Sequence, residues 1–258
     1  MTHVLAFGDD RSAGAGRCWE WIVSQRWDGW RLEVVTADPP ADFHPVEPDE
    51  ARLHPWDPEN PRQPIDGGFV AVEHLRAEID PRLALIATTW DLVAVGPHAE
   101  GWLKALRLGS TADWLLREPA SPLVIARQPE PVEQVLLAAD GSSHAARATN
   151  TLAILPWLEG KVVRIMAIDD GRTDTEKAVS DAAESLSATR VKVETVTRRG
   201  RPTNVIIEEI EKTRPDLVVM GARGRGGIKR LVLGSTTAAV AGSTDRSLLV
   251  AHAEAETV

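Results

Sequence analysis

Short continuous apolar runs alternate with stretches of helical spacing along this chain, most clearly after residue 133. Gln134–Ala139 is an apolar run that ends in Asp140-Gly141-Ser142, a buried strand leading into a helix start. Ser142–Leu155 has helical spacing and stops at Pro156. Lys161–Ile168 reads as a second strand and Thr173–Leu186 as a helix polar on one face. Arg190–Val196 alternates as a third strand, broken by Gly200-Arg201-Pro202. Thr203–Lys212 sets Val205, Ile206 and Ile210 on one helical face. Leu217–Met220 is a short buried strand, Gly234-Ser235-Thr236 opens a helix reaching Gly242, and Ser247–Ala251 is the last strand. Continuous apolar strands alternating with helices predict a parallel sheet covered on both faces.

The first half repeats this order. His3–Asp9 resembles Gln134–Asp140 at an offset of 131, and Val70–Glu73 with Pro81 resembles Val191–Glu194 with Pro202 at 121. Val93–Gly96 resembles Val218–Gly221, and Pro122–Ala126 resembles Ser247–Ala251, both at 125. Four pairs in one order indicate an internal duplication, and offsets that drift by a few residues are what loop insertions produce. There is one departure: Pro39–Gly68 is rich in Pro, Asp and Glu and reads as an irregular surface loop with a short strand at Arg52–His54. A loop of that length is either functional or mobile. Arg127–Val132, with two prolines and no periodicity, is the linker, which gives domains at 1–128 and 133–258.

Composition sharpens the contrast between the copies. The chain carries 38 acidic and 29 basic residues, a net charge of −9. Residues 1–128 hold 20 acidic and 12 basic side chains, and residues 129–258 hold 18 and 17. Eight of the nine Trp lie in the first copy; of these, Trp19, Trp27, Trp30, Trp102 and Trp114 are expected in core or domain contacts. The acidic balance argues against nonspecific nucleic-acid binding, which needs a basic surface. The lone Cys18 excludes a disulfide framework and a cysteine zinc site, fits a reducing cytoplasm, and is expected to pack in the first helix. No apolar run reaches the ~18 residues of a membrane helix, and the first residues lack a basic leader, so a soluble cytoplasmic protein is expected.

The sharpest chemical feature is Gly221-Ala-Arg-Gly224-Arg-Gly-Gly-Ile-Lys-Arg-Leu-Val-Leu-Gly234-Ser235, a G-x2-G-x9-G-S loop from a strand end to a helix start. Gly221 and Gly224 let the backbone approach a ligand closely. Gly234-Ser235-Thr236 offers helix N-terminal amides and hydroxyls, which suit an anion. Arg223, Arg225, Lys229 and Arg230 add positive charge in an otherwise acidic chain. The loop therefore suits phosphate, although it is neither a Walker A loop nor a G-x-G-x-x-G dinucleotide fingerprint. Asp140, at the first strand end, is either a ligand contact or a helix cap.

With Val135–Ser142, Gly200-Arg-Pro202 and this loop in order, the second half resembles the universal stress protein family over essentially all of 133–252, and the loop resembles that of its ATP-binding branch. The two halves together resemble the tandem form. The resemblance implies two tandem doubly wound open parallel five-stranded sheets, Rossmann-like and of the adenine-nucleotide α-hydrolase-like kind, related by a pseudo-twofold. It implies ATP, with Mg²⁺ held by the phosphates, at the carboxyl ends of the strands. Asp140 would contact adenine beside Ala138 and Ala139, and Ala167 would pack on the base. Met220 and Gly221 would flank the ribose, and Gly224, Gly234, Ser235 and Thr236 the phosphates, with Arg223 and Arg225 in reach. The first copy keeps Asp9, Gly96, Gly109, Ser110 and Thr111 but has Ala99 for the second glycine, Pro97 in the loop and Glu100 in place of Arg225, so its site reads as degenerate.

The implied function is an ATP-binding stress-response regulator with slow hydrolysis at most, acting on a protein client. No base for activating water stands out in the sequence. The alternatives are an enzyme of the wider α-hydrolase-like superfamily and an interaction module with a vestigial loop. His98, His144 and His252 have no recognisable catalytic companion. The family's pairing through last strands would be met internally by Leu123–Ala126 against Leu248–Ala251, as a monomeric pseudo-dimer or within a homodimer.

Overall fold

A computed structural model describes residues 2–37, 53–55, 67–97, 110–118, 120–225 and 233–253. The first half runs β1 (Val4–Gly8), α1 (Ala13–Ser24), β2 (Arg31–Ala37), β3 (Leu53–Pro55), β4 (Ala71–Ala77), α2 (Pro81–Ala84), β5 (Leu92–Val95), α3 (Ser110–Arg117) and β6 (Leu123–Ile125). The second runs β7 (Gln134–Ala138), α4 (Ser143–Ala153), β8 (Val162–Asp169), α5 (Thr175–Ser185), β9 (Lys192–Arg199), α6 (Pro202–Thr213), β10 (Leu217–Gly221), α7 (Ser235–Ser243) and β11 (Ser247–Ala251). Several helix starts have a local cause: Ser12 and Ser142 cap α1 and α4 through their hydroxyls, and Pro81 and Pro202 open α2 and α6.

Among the described residues the strands form one sheet in the order β3-β4-β2-β1-β5-β6-β11-β10-β7-β8-β9. Each half has its strands in the doubly wound order third-second-first-fourth-fifth, all parallel, and β3 adds an antiparallel edge to β4. The two five-stranded units are fused, because β6 pairs antiparallel with β11: Leu123 opposite Val250, Val124 opposite Leu249, Ile125 opposite Leu248. The predicted strand at Arg52–His54 falls at Leu53–Pro55; most of the 39–68 segment lies outside the described residues.

The ladder registers define which residues correspond. Leu5 pairs Leu92 as Val135 pairs Leu217, and Val4 pairs Arg31 as Gln134 pairs Val162. Asp9 therefore corresponds to Ala139, and Asp10 to Asp140, one residue away from the alignment by sequence. Two bonds agree: the Asp9 amide donates to the Val35 carbonyl as the Ala139 amide donates to that of Met166, both at 2.9 Å. A second departure between the halves, unseen in sequence, is α2, which has four residues where α6 has twelve.

Apolar cores cover both sheet faces and cross the seam. Ala126, Leu249 and Ala251 share one core with Trp21, Trp27 and Trp157; Ile125, Leu248 and Val250 share the other with α3, α6 and α7. Trp27 and Trp157 meet edge to face at 6.2 Å, so tryptophan joins the halves as expected. Trp114 packs under the Arg82 guanidinium at 5.9 Å, Cys18 is fully buried in α1, and Trp102 lies outside the described residues.

Candidate functional site

The parallel order places a crevice at the carboxyl ends of the first and fourth strands of each half, where the chain direction reverses. In the second half the crevice is built from the turn after β7, the end of β10 and the start of α7. Asp140 is not the helix cap; Ser142 is, accepting from the Ala145 amide at 3.1 Å. The Asp140 carboxylate accepts the Ser142 amide at 3.0 Å on one oxygen and the Arg225 amide at 3.2 Å on the other. It thus anchors the glycine loop to the first strand. A Cβ on Gly224 would stand 2.6 Å from that carboxylate, so only glycine lets the loop lie across it. The Ser142 hydroxyl adds a donor bond to the Arg223 carbonyl at 3.2 Å.

The loop closes at a neck. The Gly234 amide donates to the Ala222 carbonyl at 2.8 Å, and a Cβ on Gly234 would lie 3.3 Å from the Arg223 Cα. Gly234 is the N-cap of α7 without a side-chain cap, so the first amides of that helix have no cap partner, beside exposed Ser235 and half-buried Thr236. Gly221 acts differently, through packing. A Cβ there would stand 2.6 Å from the Ala145 amide nitrogen, and at Gly96 it would run into the Gly14 backbone. These two glycines let the helix after the first strand press on the fourth strand.

Two residues fall differently from the sequence reading. Ala167 is fully buried on the sheet face of Ile165, under α4 and α5, while its neighbours Met166 and Ile168 share the face of Met220 under α6 and α7. Met166 and Ile168, with Ala138, therefore stand beside Met220 as the apolar floor. Strand alternation was the available signal for them. Arg223 turns to the seam, its Nε 3.1 Å from Nε2 of His144. Arg225 is exposed; Lys229 and Arg230 lie outside the described residues.

His144 joins the site although no sequence motif marks it. Its Nδ1 accepts the Ala253 amide at 2.8 Å, and an amide only donates. Burial first, then the Arg223 guanidinium and His252, push His144 below the usual imidazole range, with Asp140 pulling the other way. The Arg223 Nε–H points at Nε2 at 3.1 Å, so the ring meets a donor on each side, and a neutral imidazole can accept only one of the two. His252, buried and likewise lowered chiefly by burial, donates from Nε2 to the Leu116 carbonyl of α3 at 2.9 Å. Its ring centroid is 5.9 Å from that of His144, so the loop and the seam are in contact through this pair.

In the first half, Asp10 accepts the Ser12 amide at 3.0 Å as Asp140 accepts that of Ser142. Asp9, nearly fully buried, accepts the Arg11 amide at 2.9 Å and faces the crevice with Gly96 and Thr111. His98, Ala99, Glu100 and Gly109 lie outside the described residues, and α3 starts at Ser110. Among the described residues no helix is long and apolar enough to cross a membrane, and no three His, Cys, Asp or Glu gather as a metal cluster.

The fold defines a tandem doubly wound α/β protein whose two halves share one sheet. Residues 163–252 match the model of the universal stress protein family. A universal stress protein of Mycolicibacterium smegmatis is 28% identical over 207 residues, covering 71% of this chain and 69% of that protein. One of Mycobacterium tuberculosis is 29% identical over 234 residues, 76% of this chain and 78% of that protein. The crystal structure of a universal stress protein from Archaeoglobus fulgidus superposes with a TM-score of 0.68 at 19% identity, over 98% of this chain and 97% of that one. Both halves are thus covered by a fold shared with that universal stress protein.

Proposed function

We propose that the second half binds ATP and that the protein is a nucleotide-responsive stress regulator acting on a protein client. One observation carries the reading: the loop neck sets the uncapped start of α7 against Arg223, so helix amides and a guanidinium lie together at the end of a glycine loop. Such a donor set fits a polyphosphate, with Mg²⁺ held by the phosphates themselves. The small Ala138 and the apolar Met220 fit a flat base on the floor. Asp140 already accepts two backbone amides, so it is an anchor for the loop and not a base for water, which agrees with slow hydrolysis at most. Bound nucleotide would favour the loop conformation it touches and thereby change the surface presented to the client.

The experiment is calorimetry with ATP on the wild type, Gly224→Val and Asp140→Ala, beside mass spectrometry of ligand released from the purified protein. ATP binding is expected in the wild type and lost in both variants, with far-ultraviolet circular dichroism unchanged. Retained affinity in both variants would overturn the site. A turnover assay should show no more than slow loss of ATP.

A further inference from the structure

The first half holds a cavity of about 110 Å³ at its own strand ends, and the second half shows how it arises. Gly8, Val35, Ala37 and Val95 line the cavity. The corresponding residues are Ala138, Met166, Ile168 and Met220, every one of them larger, and the last three are buried. The volume that the second half fills with two thioether side chains and an isoleucine is left open by the described residues of the first. A cavity of this order with apolar walls has room for one small ring.

The rim sets the polarity of what enters. Asp9 stands where the second half has Ala139, and the exposed Asp10 carboxylate lies beside it. Pro97, which follows Gly96 on the cavity wall, brings no amide hydrogen. Acidic groups at the mouth repel phosphate and attract a cation. We infer that the first-half crevice binds a small ring-bearing amine, ring inward against Val35 and Val95 and ammonium outward to the Asp9–Asp10 rim. This inference stands independently of ATP binding in the second half.

The test is a methyl-resolved NMR titration of the full chain with benzylamine, benzyl alcohol and benzoate. Benzylamine should shift the Val35 and Val95 methyls and bind about tenfold or more tightly than benzoate. Val35→Met with Val95→Met, which copies the second half, should weaken benzylamine at least about tenfold. Asp10→Asn, at an exposed position, should leave the fold intact and remove most of the preference of amine over alcohol. Saturating ATP should leave benzylamine binding unchanged. The inference is overturned by no shift at these methyls, by benzoate binding equally well, by undiminished binding in the double variant, or by displacement with ATP.

Discussion

Asp10 and Asp140 close the same turn on the serine two residues ahead, and Ser12 and Ser142 cap the same helix, yet the crevices beside them are of opposite character. The second half fills its floor with Met166, Ile168 and Met220 and gathers donors at its rim: Arg223 and the uncapped start of α7. The first half has Gly14 where His144 stands, Asp9 in place of Ala139, and an open floor. The backbone of a duplicated fold fixes where a ligand goes, while a few side chains at that place fix its charge and shape.

The seam shows the same kinship with different chemistry. After β6, the Arg127 guanidinium donates to the Ala241 carbonyl near the end of α7 at 2.7 Å. After β11, the equivalent His252 donates to the Leu116 carbonyl near the end of α3 at 2.9 Å. Each half clasps the other's last helix, one through a cation and the other through an imidazole.

Four measurements would break or sharpen this comparison. The largest effect is expected at the shared glycines: Gly96→Ala and Gly221→Ala should each lower stability by about 3 kcal/mol in urea unfolding, because their Cβ atoms meet backbone that cannot yield. A neutral outcome at Gly221 would return it to a purely ligand-facing role. Arg127→Met should cost about 2 kcal/mol, as the loss of charged hydrogen bonds to buried carbonyls. His252→Phe should cost about 1 kcal/mol, the net of one neutral bond; equal losses from the two would show the clasps to be equivalent. The smallest effect is in pH. His144 and His252 have folded values below the unfolded value near 6.5. The unfolded chain then binds more protons between the folded and unfolded values, so stability is complete above about pH 6.5 and declines as pH falls through it. His144→Gln with His252→Gln should flatten that decline, and an unchanged slope would show that the pair plays no part in it.

Much of the fold is legible in the chain itself. The apolar runs mark every strand of the second half within a few residues, since buried parallel strands are continuous and their turns carry Gly, Asp and Pro. The glycine loop is legible because close approach and a helix start leave fixed residue types. The one-residue shift that aligns Asp10, not Asp9, with Asp140 is not, because two adjacent aspartates look alike until a ladder register tells them apart. Ala167 falls on the other face for a related reason: the face of a strand residue depends on which neighbour starts the alternation.

The sequence alone determined the duplicated α/β order, the phosphate-suited loop and the acidic bias of the first copy, because these rest on local pattern and composition. The pairing of β6 with β11 was implied by the family resemblance; the tertiary structure added its register, the approach of Arg223 to His144 and the cavity among the described residues of the first half. Those facts depend on residues far apart in the chain packing against one another, and local pattern carries no record of such contacts.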